Sequence, residues 1–220
     1  MAAQLSRIGL SFSHPKLTLF PAIRPESAGP FPTIGTRGCF MSHLGVLRHA
    51  SENGCESILV CEDDLDFAPD FSDRIHEVAA RLSAERWGIF YGGHRFEKKE
   101  SRTIPCGSSQ LMSVPSSEPV VTAHFIGFRG KTIAEMARYL EAMLARPPGS
   151  DEGGPMHVDG AYSWYRKDHA DEITLAVIPE LGYQRSSRTD IHELSWYDRT
   201  PFVNLLVEAM RGLKNRRLSR

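Results

Sequence analysis

The chain has 220 residues, of which 41% are hydrophobic and 24% charged, with a formal net charge of −1 at pH 7. This composition is typical of a single soluble globular domain, and the near-neutral charge argues against a nucleic-acid-binding protein, which is usually strongly basic. No run approaches the roughly 18 apolar residues of a membrane span, and the first residues lack the basic and apolar regions of a signal peptide.

Hydrophobic periodicity and breaker residues predict helices that alternate with short apolar strands. The first predicted elements are the end of a helix at 1–10, a strand at 17–23, and a helix that stops at Asn53-Gly54 and buries Phe40, Leu44, Leu47 and Ala50. A strand at 58–61 follows, and then a helix that is capped by Ser72 and buries Ile75, Val78, Ala79 and Leu82. The later elements are strands at 87–91 and 120–128, a helix at 131–145, a loop at 146–155, a helix at 159–167, a strand at 173–178 and a helix at 201–217. This alternation predicts an α/β/α sandwich with a mostly parallel central sheet. Functional residues of such folds gather at the carboxyl ends of strands.

The stretch from Ile58 to Asp66 is the most informative part of the sequence. A short apolar run leads directly into Glu62, Asp63, Asp64 and Asp66. In an extended chain alternate side chains share a face, so Glu62, Asp64 and Asp66 are expected to converge. Like charges so close repel unless a cation neutralises them, and carboxylate oxygens suit Mn²⁺ or Mg²⁺. A solvated acidic strand end without a metal is the alternative.

The segment Gly38-Cys39-Phe40-Met41-Ser42-His43-Leu44, followed by Ile58 to Asp64, resembles glycosyltransferase family 25. Val158-Asp159 resembles a late acidic position of that family, and Pro179, Gln184 and Thr189-Asp190-Ile191 resemble its ending, with Thr in place of Ser. The resemblance covers roughly residues 15–195.

This resemblance implies a GT-A-like nucleotide-sugar-binding fold that uses an Asp-x-Asp-like motif and Mn²⁺ or Mg²⁺. It also implies an inverting transfer of a hexose, commonly galactose from UDP-galactose, to a glycan or glycolipid acceptor. Asp64, with Glu62 or Asp66, is then the predicted metal site, and Asp63 is a predicted substrate contact. Family members usually begin with a further strand that is absent here, so we expect either a start codon assigned too late or a shortened member with impaired donor binding.

An inverting transfer needs a base that takes the proton of the acceptor hydroxyl. Asp159 is the first candidate, because it follows a breaker-rich loop, and Asp190 is the second. The alternative for Asp159 is a helix N-cap.

Other polar residues are candidates for contacts with the substrate. Ser42 and His43 are expected in the first turns of their helix, where an anion is favoured, although a buried histidine bonded to the backbone is the alternative for His43. Gln184 is a predicted sugar contact or simply a polar turn residue, and Gly93 lets the donor approach or forms a plain turn. His192 is a weaker metal candidate, and His124 is expected to be a core histidine with satisfied hydrogen bonds.

Two features bear on the location of the protein. The four cysteines, Cys39, Cys55, Cys61 and Cys106, show no Cys-x-x-Cys spacing, which indicates reduced structural thiols in a cytoplasmic protein rather than a disulfide or zinc site. Residues 199–220, beyond the predicted domain at 1–198, form a basic amphipathic pattern. Such a helix contacts an anionic inner membrane or packs on the domain.

The sequence therefore predicts a cytoplasmic, metal-dependent hexosyltransferase that acts on a lipopolysaccharide-type or other cell-surface glycan. Two other classes of protein stay open. One is a non-catalytic sugar-nucleotide or glycan-binding protein of the same fold, and the other is a metal-dependent phosphoesterase.

Overall fold

The computed structural model describes residues 1–96 and 108–185. These ranges contain five helices: α1 Ala2–Arg7, α2 Ile34–Glu52, α3 Phe71–Ala84, α4 Lys131–Ala145 and α5 Val158–Asp168. They also contain nine strands: β1 Ser57–Cys61, β2 Leu65–Phe67, β3 Ile89–Tyr91, β4 Arg95–Phe96, β5 Gln110–Ser113, β6 Val120–Val121, β7 Phe125–Arg129, β8 Thr174–Ile178 and β9 Gly182–Gln184. The predicted helix at 201–217, the basic segment 199–220, Cys106, Asp190 and His192 lie outside the described residues.

Helix α2 confirms the strongest periodic pattern of the sequence. Its N-cap residue, Thr33, accepts a hydrogen bond from Thr36 N over 3.0 Å. The predicted core residues Phe40, Leu44, Leu47 and Ala50 are all buried. The helix ends at Glu52 with Asn53 as its C-cap, and Gly54 then adopts a φ of 62° that a glycine reaches without strain. The predicted helix at 131–145 is likewise confirmed by α4.

The five-stranded sheet has the order β1-β7-β3-β8-β5. β3 and β8 run parallel, but β1–β7, β7–β3 and β8–β5 are antiparallel pairs. The prediction of a mostly parallel sheet is therefore wrong, and the fold is mixed α/β. The reason is topological: β7 inserts between β1 and β3 in the opposite direction, and it is reached from β5 and β6 rather than from a helical crossover of the kind that parallel neighbours need.

The carboxyl ends of three strands lie at the same end of this sheet. β1, β3 and β8 run in the same direction, so Glu62, Gly92 and Pro179 follow their carboxyl ends on the same side. His124 precedes the antiparallel strand β7 at that end. The mixed sheet thus still gathers residues from distant parts of the chain in one place.

Helices cover both faces of the sheet. In β3, Ile89 and Tyr91 belong to a core formed with α2, α4 and α5, whereas Phe90 belongs to a second core with α3. The layered α/β arrangement predicted from the sequence is confirmed by this alternation of strand residues between two cores.

The segment 17–23 does not form the predicted strand. It lies across helix α2 instead, where the ring of Phe20 packs against Gly45 and the carbonyl of Ile23 approaches Gly38. Leu19 stays 70% exposed. The ring of Phe20 and the backbone of Ile23 therefore pack on the helix, and the sequence pattern does not distinguish this packing from strand pairing.

Two further predictions needed adjustment. Helix α3 begins after Asp70 rather than after Ser72, and its Ala79 is exposed because Phe71 and Arg74 take buried positions. The predicted strand at 120–128 is split into β6 and β7 at Thr122, whose φ of 91° is incompatible with an extended strand.

Strand β1 lies at the edge of the sheet. Its residues alternate between exposed and half-buried, and Leu59 is 51% exposed. Ile58 and Val60 pack against the core that α2 shares. The outer side of β1 has no strand partner among the described residues.

Candidate functional site

A tight turn at 62–65 follows β1 and sets the positions of Glu62, Asp63, Asp64 and Asp66. Leu65 N donates to Glu62 O over 3.2 Å, and Glu62 N donates to His124 O over 2.9 Å. The prediction of an extended chain through Asp66 is therefore wrong, since the chain turns at 62–65. Alternate residues share a face only in an extended chain. Within the described ranges, Glu62, Asp64 and Asp66 accordingly do not form one group of metal-ligand atoms.

Glu62 belongs to a hydrogen-bonded cluster with helix α2. Its Oε1 lies 3.0 Å from His43 Nε2 and 3.8 Å from Cys39 Sγ. The other ring nitrogen of His43, Nδ1, lies 2.8 Å from the hydroxyl of Tyr162 in α5. These contacts connect α5, α2 and the end of β1.

Electrostatics favour an ion pair between His43 and Glu62. Burial acts to lower the pKa of His43, but hydrogen bonds and charge interactions with Cys39 and Glu62 outweigh burial and raise that pKa to about 10. Burial likewise acts to raise the pKa of Glu62, yet its contact with His43 leaves that pKa below the usual value. At neutral pH Glu62 is therefore a carboxylate paired with an imidazolium.

Asp64 differs from Glu62 because one of its oxygens is unused. Oδ2 accepts a hydrogen bond from Gln184 Nε2 over 3.1 Å. Oδ1 is buried and has no hydrogen-bond partner among the described residues. Burial, reinforced by the negative charge of Glu62, raises the pKa of Asp64 to about 6. A cation at Oδ1 would satisfy the orphaned oxygen and relieve this repulsion, so Asp64 offers one oxygen that suits Mn²⁺ or Mg²⁺.

Asp66 is occupied by protein partners. Arg185 donates to it from Nε over 3.2 Å and from Nη2 over 2.5 Å, and Gln4 Nε2 donates to its Oδ1 over 2.6 Å. Strand β2, which carries Asp66, pairs antiparallel with β9, and this pairing brings Gln184 and Arg185 beside the turn. Asp63 is exposed in the turn, where its backbone oxygen lies 3.4 Å from the amino group of Met1.

Ser42 and His43 lie in the middle of helix α2 rather than in its first turns, so the predicted contact of a helix N-terminus with an anion is wrong for this pair. The first turn begins at Ile34 because Thr33 supplies the cap. Ser42 Oγ donates to Gly38 O over 2.7 Å and accepts from Ile23 N over 2.9 Å. Ser42 therefore holds the N-terminal segment on α2.

Asp159 is the second residue of α5, and the N-cap position belongs to His157. Its Oδ1 accepts a hydrogen bond from Gly160 N over 2.8 Å, and its Oδ2 accepts one from Thr122 N over 2.9 Å. The second bond holds the corner between β6 and β7, where Thr122 has its unusual φ. Asp159 is thus half-buried and bonded to the backbone, with lone pairs remaining on both oxygens.

Gly93 is a glycine because its neighbours leave no room for a side chain. A Cβ there would lie 2.3 Å from His124 Nε2 and 2.7 Å from Gly182 O. His124 is buried as predicted, and its Nε2 lies 3.4 Å from Gly182 O. Its Nδ1, like that of buried His94, has no partner in the described part of the chain, so the prediction of a fully satisfied histidine is not met.

Sequence reasoning missed Cys39 and Tyr162 as members of this site. The spacing of Cys39 and His43, four residues apart on a helix, was a usable signal because such residues share a face. Tyr162 gave no comparable signal, since its contact with His43 spans 119 positions.

The fold and the site define a mixed α/β protein whose acidic and polar residues meet at one edge of the sheet. Residues 17–104 of this chain match the family model described as glycosyltransferase family 25 (LPS biosynthesis protein). The predicted resemblance to glycosyltransferase family 25 is thereby confirmed for this segment, which carries Cys39, His43 and the turn at 62–65 (the acidic turn).

Individual relatives agree with this match. The chain is 30% identical over 96 residues to the inactive glycosyltransferase 25 family member 3 of Homo sapiens, covering 43% of this chain and 16% of that protein. It is 33% identical over 96 residues to a glycosyltransferase 25 family member of Anopheles gambiae (40% and 16%), and 27% identical over 96 residues to procollagen galactosyltransferase 1 of Danio rerio (43% and 15%). These three matches span less than half of this chain and 15–16% of each relative.

Among the described residues, no helix combines the length and apolar character needed to cross a membrane.

Proposed function

We propose that this protein is a metal-dependent inverting glycosyltransferase of the GT-A type. It transfers a hexose, with galactose from UDP-galactose as the first expectation, to a hydroxyl of a lipopolysaccharide-type or other cell-surface glycan. The observation that carries the proposal is the buried, unpartnered Oδ1 of Asp64 at the end of β1, in a segment that matches glycosyltransferase family 25.

Asp64 would hold Mn²⁺ or Mg²⁺ through Oδ1. When bound, such an ion acts as a Lewis acid on the departing diphosphate. Glu62 and Asp66, the other two predicted ligands, would each have to exchange a protein partner for the ion. Asp64 is therefore the central metal residue of the proposal.

Gln184 supports the same assignment, because its amide fixes Asp64 Oδ2 and leaves Oδ1 directed elsewhere. Its carbonyl oxygen is then available for a sugar hydroxyl. Asp63, which is exposed beside Asp64, is a further contact for the nucleotide-sugar substrate.

The base of the reaction is Asp159 or Asp190. Asp159 keeps lone pairs that can take the acceptor proton while its two backbone hydrogen bonds hold the carboxylate in a fixed orientation. We further propose that the protein works in the cytoplasm with peripheral contact to the inner membrane through residues 199–220.

The proposal is tested by incubating the purified protein with Mn²⁺, UDP-galactose and a glycolipid acceptor and measuring the release of UDP. Sugar nucleotides of UDP, GDP and CMP are compared, and the Asp64→Asn variant serves as the inactive control. The absence of both turnover and binding for every donor would refute the proposal.

A non-catalytic sugar-nucleotide or glycan-binding protein is the second candidate. It is favoured by Asp66, whose carboxylate is already occupied by Arg185 and Gln4, and by a relative whose name states that it is inactive. Binding of UDP-galactose without turnover in the presence of acceptor would select this alternative.

A further inference from the structure

Three potential metal ligands converge next to the acidic turn. Cys39 and His43 lie four residues apart on α2, and Glu62 follows β1. The ligand atoms of these three residues all lie within 4.8 Å of one another. We call this group the Cys39–His43–Glu62 cluster. It combines a thiol, an imidazole and a carboxylate, a ligand set that hard ions such as Mg²⁺ do not prefer.

The distances in the cluster are close to those of a tetrahedral zinc site. Zinc bonds of about 2.3 Å to sulfur and about 2.0–2.2 Å to nitrogen and oxygen place a nitrogen and an oxygen ligand about 3.4 Å apart, and a sulfur and an oxygen about 3.6 Å apart. His43 Nε2 and Glu62 Oε1 lie 3.0 Å apart, and Cys39 Sγ lies 3.8 Å from the same oxygen. For these two pairs, shifts of a few tenths of an ångström would reach the zinc geometry, and Cys39 Sγ and His43 Nε2 lie within 4.8 Å of each other.

Tyr162 prepares His43 for this role. Histidines that bind metals usually donate a hydrogen bond from the other ring nitrogen, which fixes the tautomer. His43 Nδ1 lies 2.8 Å from the hydroxyl oxygen of fully buried Tyr162. When the proton between Nε2 and Glu62 is released, a hydrogen bond donated by Nδ1 keeps the lone pair of Nε2 directed at Cys39 and Glu62.

We propose that the Cys39–His43–Glu62 cluster binds Zn²⁺ through Sγ, Nε2 and Oε1, with the fourth position open to water. On binding, the ion replaces the thiol proton of Cys39 and the proton shared by His43 and Glu62, so two protons leave for each ion. The thiolate selects zinc over Mn²⁺ and Mg²⁺. The bound ion fastens α2 to the start of the turn that carries Asp64. The zinc proposal does not rest on the transferase proposal, although Glu62 is a candidate ligand in both.

The test uses Co²⁺ as a spectroscopic substitute for zinc in the metal-free full-length protein. One equivalent of Co²⁺ is expected to give a thiolate charge-transfer band in the near ultraviolet, and Zn²⁺ is expected to displace it. Cys39→Ser should abolish the band. The matched variants Cys55→Ser and Cys61→Ser should keep it, because those two cysteines lie outside the cluster.

Tyr162→Phe tests the positioning of His43, and it should weaken zinc binding roughly 10- to 100-fold while the charge-transfer band is retained. Should Cys39→Ser fail to fold by circular dichroism, X-ray absorption of the zinc-loaded wild-type protein gives an independent answer, with one sulfur ligand expected.

No thiolate band in the folded wild-type protein, a band that survives Cys39→Ser, or a sulfur count other than one would overturn the proposal. All of these measurements are made without nucleotide. Zinc binding without glycosyl transfer would therefore contradict only the proposed function, and transfer without zinc binding only this inference.

Discussion

The side chains of Asp64 and Gln184, 120 positions apart, meet through a hydrogen bond of 3.1 Å. The pairing of β2 with β9 makes this contact possible, since Leu65 is opposite Gln184 in that ladder. One carboxylate oxygen of Asp64 is thereby fixed, and the other stays buried without a partner among the described residues. The turn at 62–65 consequently keeps one buried carboxylate oxygen that no described group bonds.

Replacing Asp64 by Asn should stabilise the metal-free protein while it abolishes metal-dependent activity. The pKa of Asp64 is raised from 3.8 to about 6, so its contribution to stability is fully present below pH 3.8 and is lost as the pH rises through about 6. At pH 7 the uncharged amide avoids this loss, and we expect a gain of about 1–2 kcal/mol in the free energy of unfolding.

Urea denaturation in the presence of a chelator at pH 4 and pH 7 measures this effect. The gain should be small at pH 4 and larger at pH 7. Asp63→Asn is the matched control, because Asp63 is exposed and should change stability little at either pH. Equal gains for the two variants would contradict the special environment of Asp64.

The metal-free protein should lose stability between pH 7 and pH 10 through His43. The pKa of His43 rises on folding from 6.5 to about 10. Its stabilising effect is therefore complete below pH 6.5 and is lost as the pH approaches 10, with a slope of up to about 1.4 kcal/mol per pH unit. Cys39, Glu62 and Tyr162 are the titratable groups that contact or face it.

Denaturation curves of the wild-type protein and of His43→Gln across this pH range provide the measurement. The variant is expected to show a flatter dependence, since it removes the titrating group. A slope identical in both proteins would assign the pH dependence to other residues.

Asp64 and Asp66 should respond differently to removal of their charge. Asp66→Asn loses an ion pair in which the side chain of Arg185 is 37% exposed, so the stability cost should be only about 1 kcal/mol. The affinity of the Asp66→Asn variant for Mn²⁺ should stay within the same order of magnitude as that of the wild-type protein. Asp64→Asn should lose Mn²⁺ binding.

Isothermal titration calorimetry with Mn²⁺ and UDP compares the two variants directly. The reverse result, with binding retained in Asp64→Asn and lost in Asp66→Asn, would move the metal site to Asp66.

Gly93→Ala should destabilise the protein because the new methyl group overlaps His124 and the carbonyl of Gly182. Overpacking of this kind typically costs about 1–3 kcal/mol. Gly127→Ala is the control, since a Cβ at Gly127 would meet its nearest neighbour at 3.4 Å, an ordinary contact. Thermal denaturation should show a clear loss only for Gly93→Ala, and equal losses would reject the steric explanation.

The sequence predicted those parts of the fold that depend on local pattern. Phe40, Leu44 and Leu47 recur at helical spacing and become the buried face of α2, and 131–145 becomes α4. The strand direction could not be predicted, because the insertion of β7 between β1 and β3 depends on contacts between distant segments.

The candidate site was predicted unevenly for the same reason. Asp64 and Gln184 were both singled out, and the structure brings them together. The predicted convergence of Glu62, Asp64 and Asp66 is wrong, because the turn at 62–65 interrupts the alternation of an extended chain. The contact between Tyr162 and His43 has no local pattern, so only the folded chain reveals it.

The position of β1 at the sheet edge has a practical consequence for work with this protein. Free backbone N–H and C=O groups on an edge strand form a template for another chain, and half-exposed Leu59 adds an apolar surface beside them. Since no described strand covers the outer side of β1, we expect concentrated samples to self-associate by edge-to-edge strand addition. A charged residue in place of Leu59 should keep the molecules apart in light scattering.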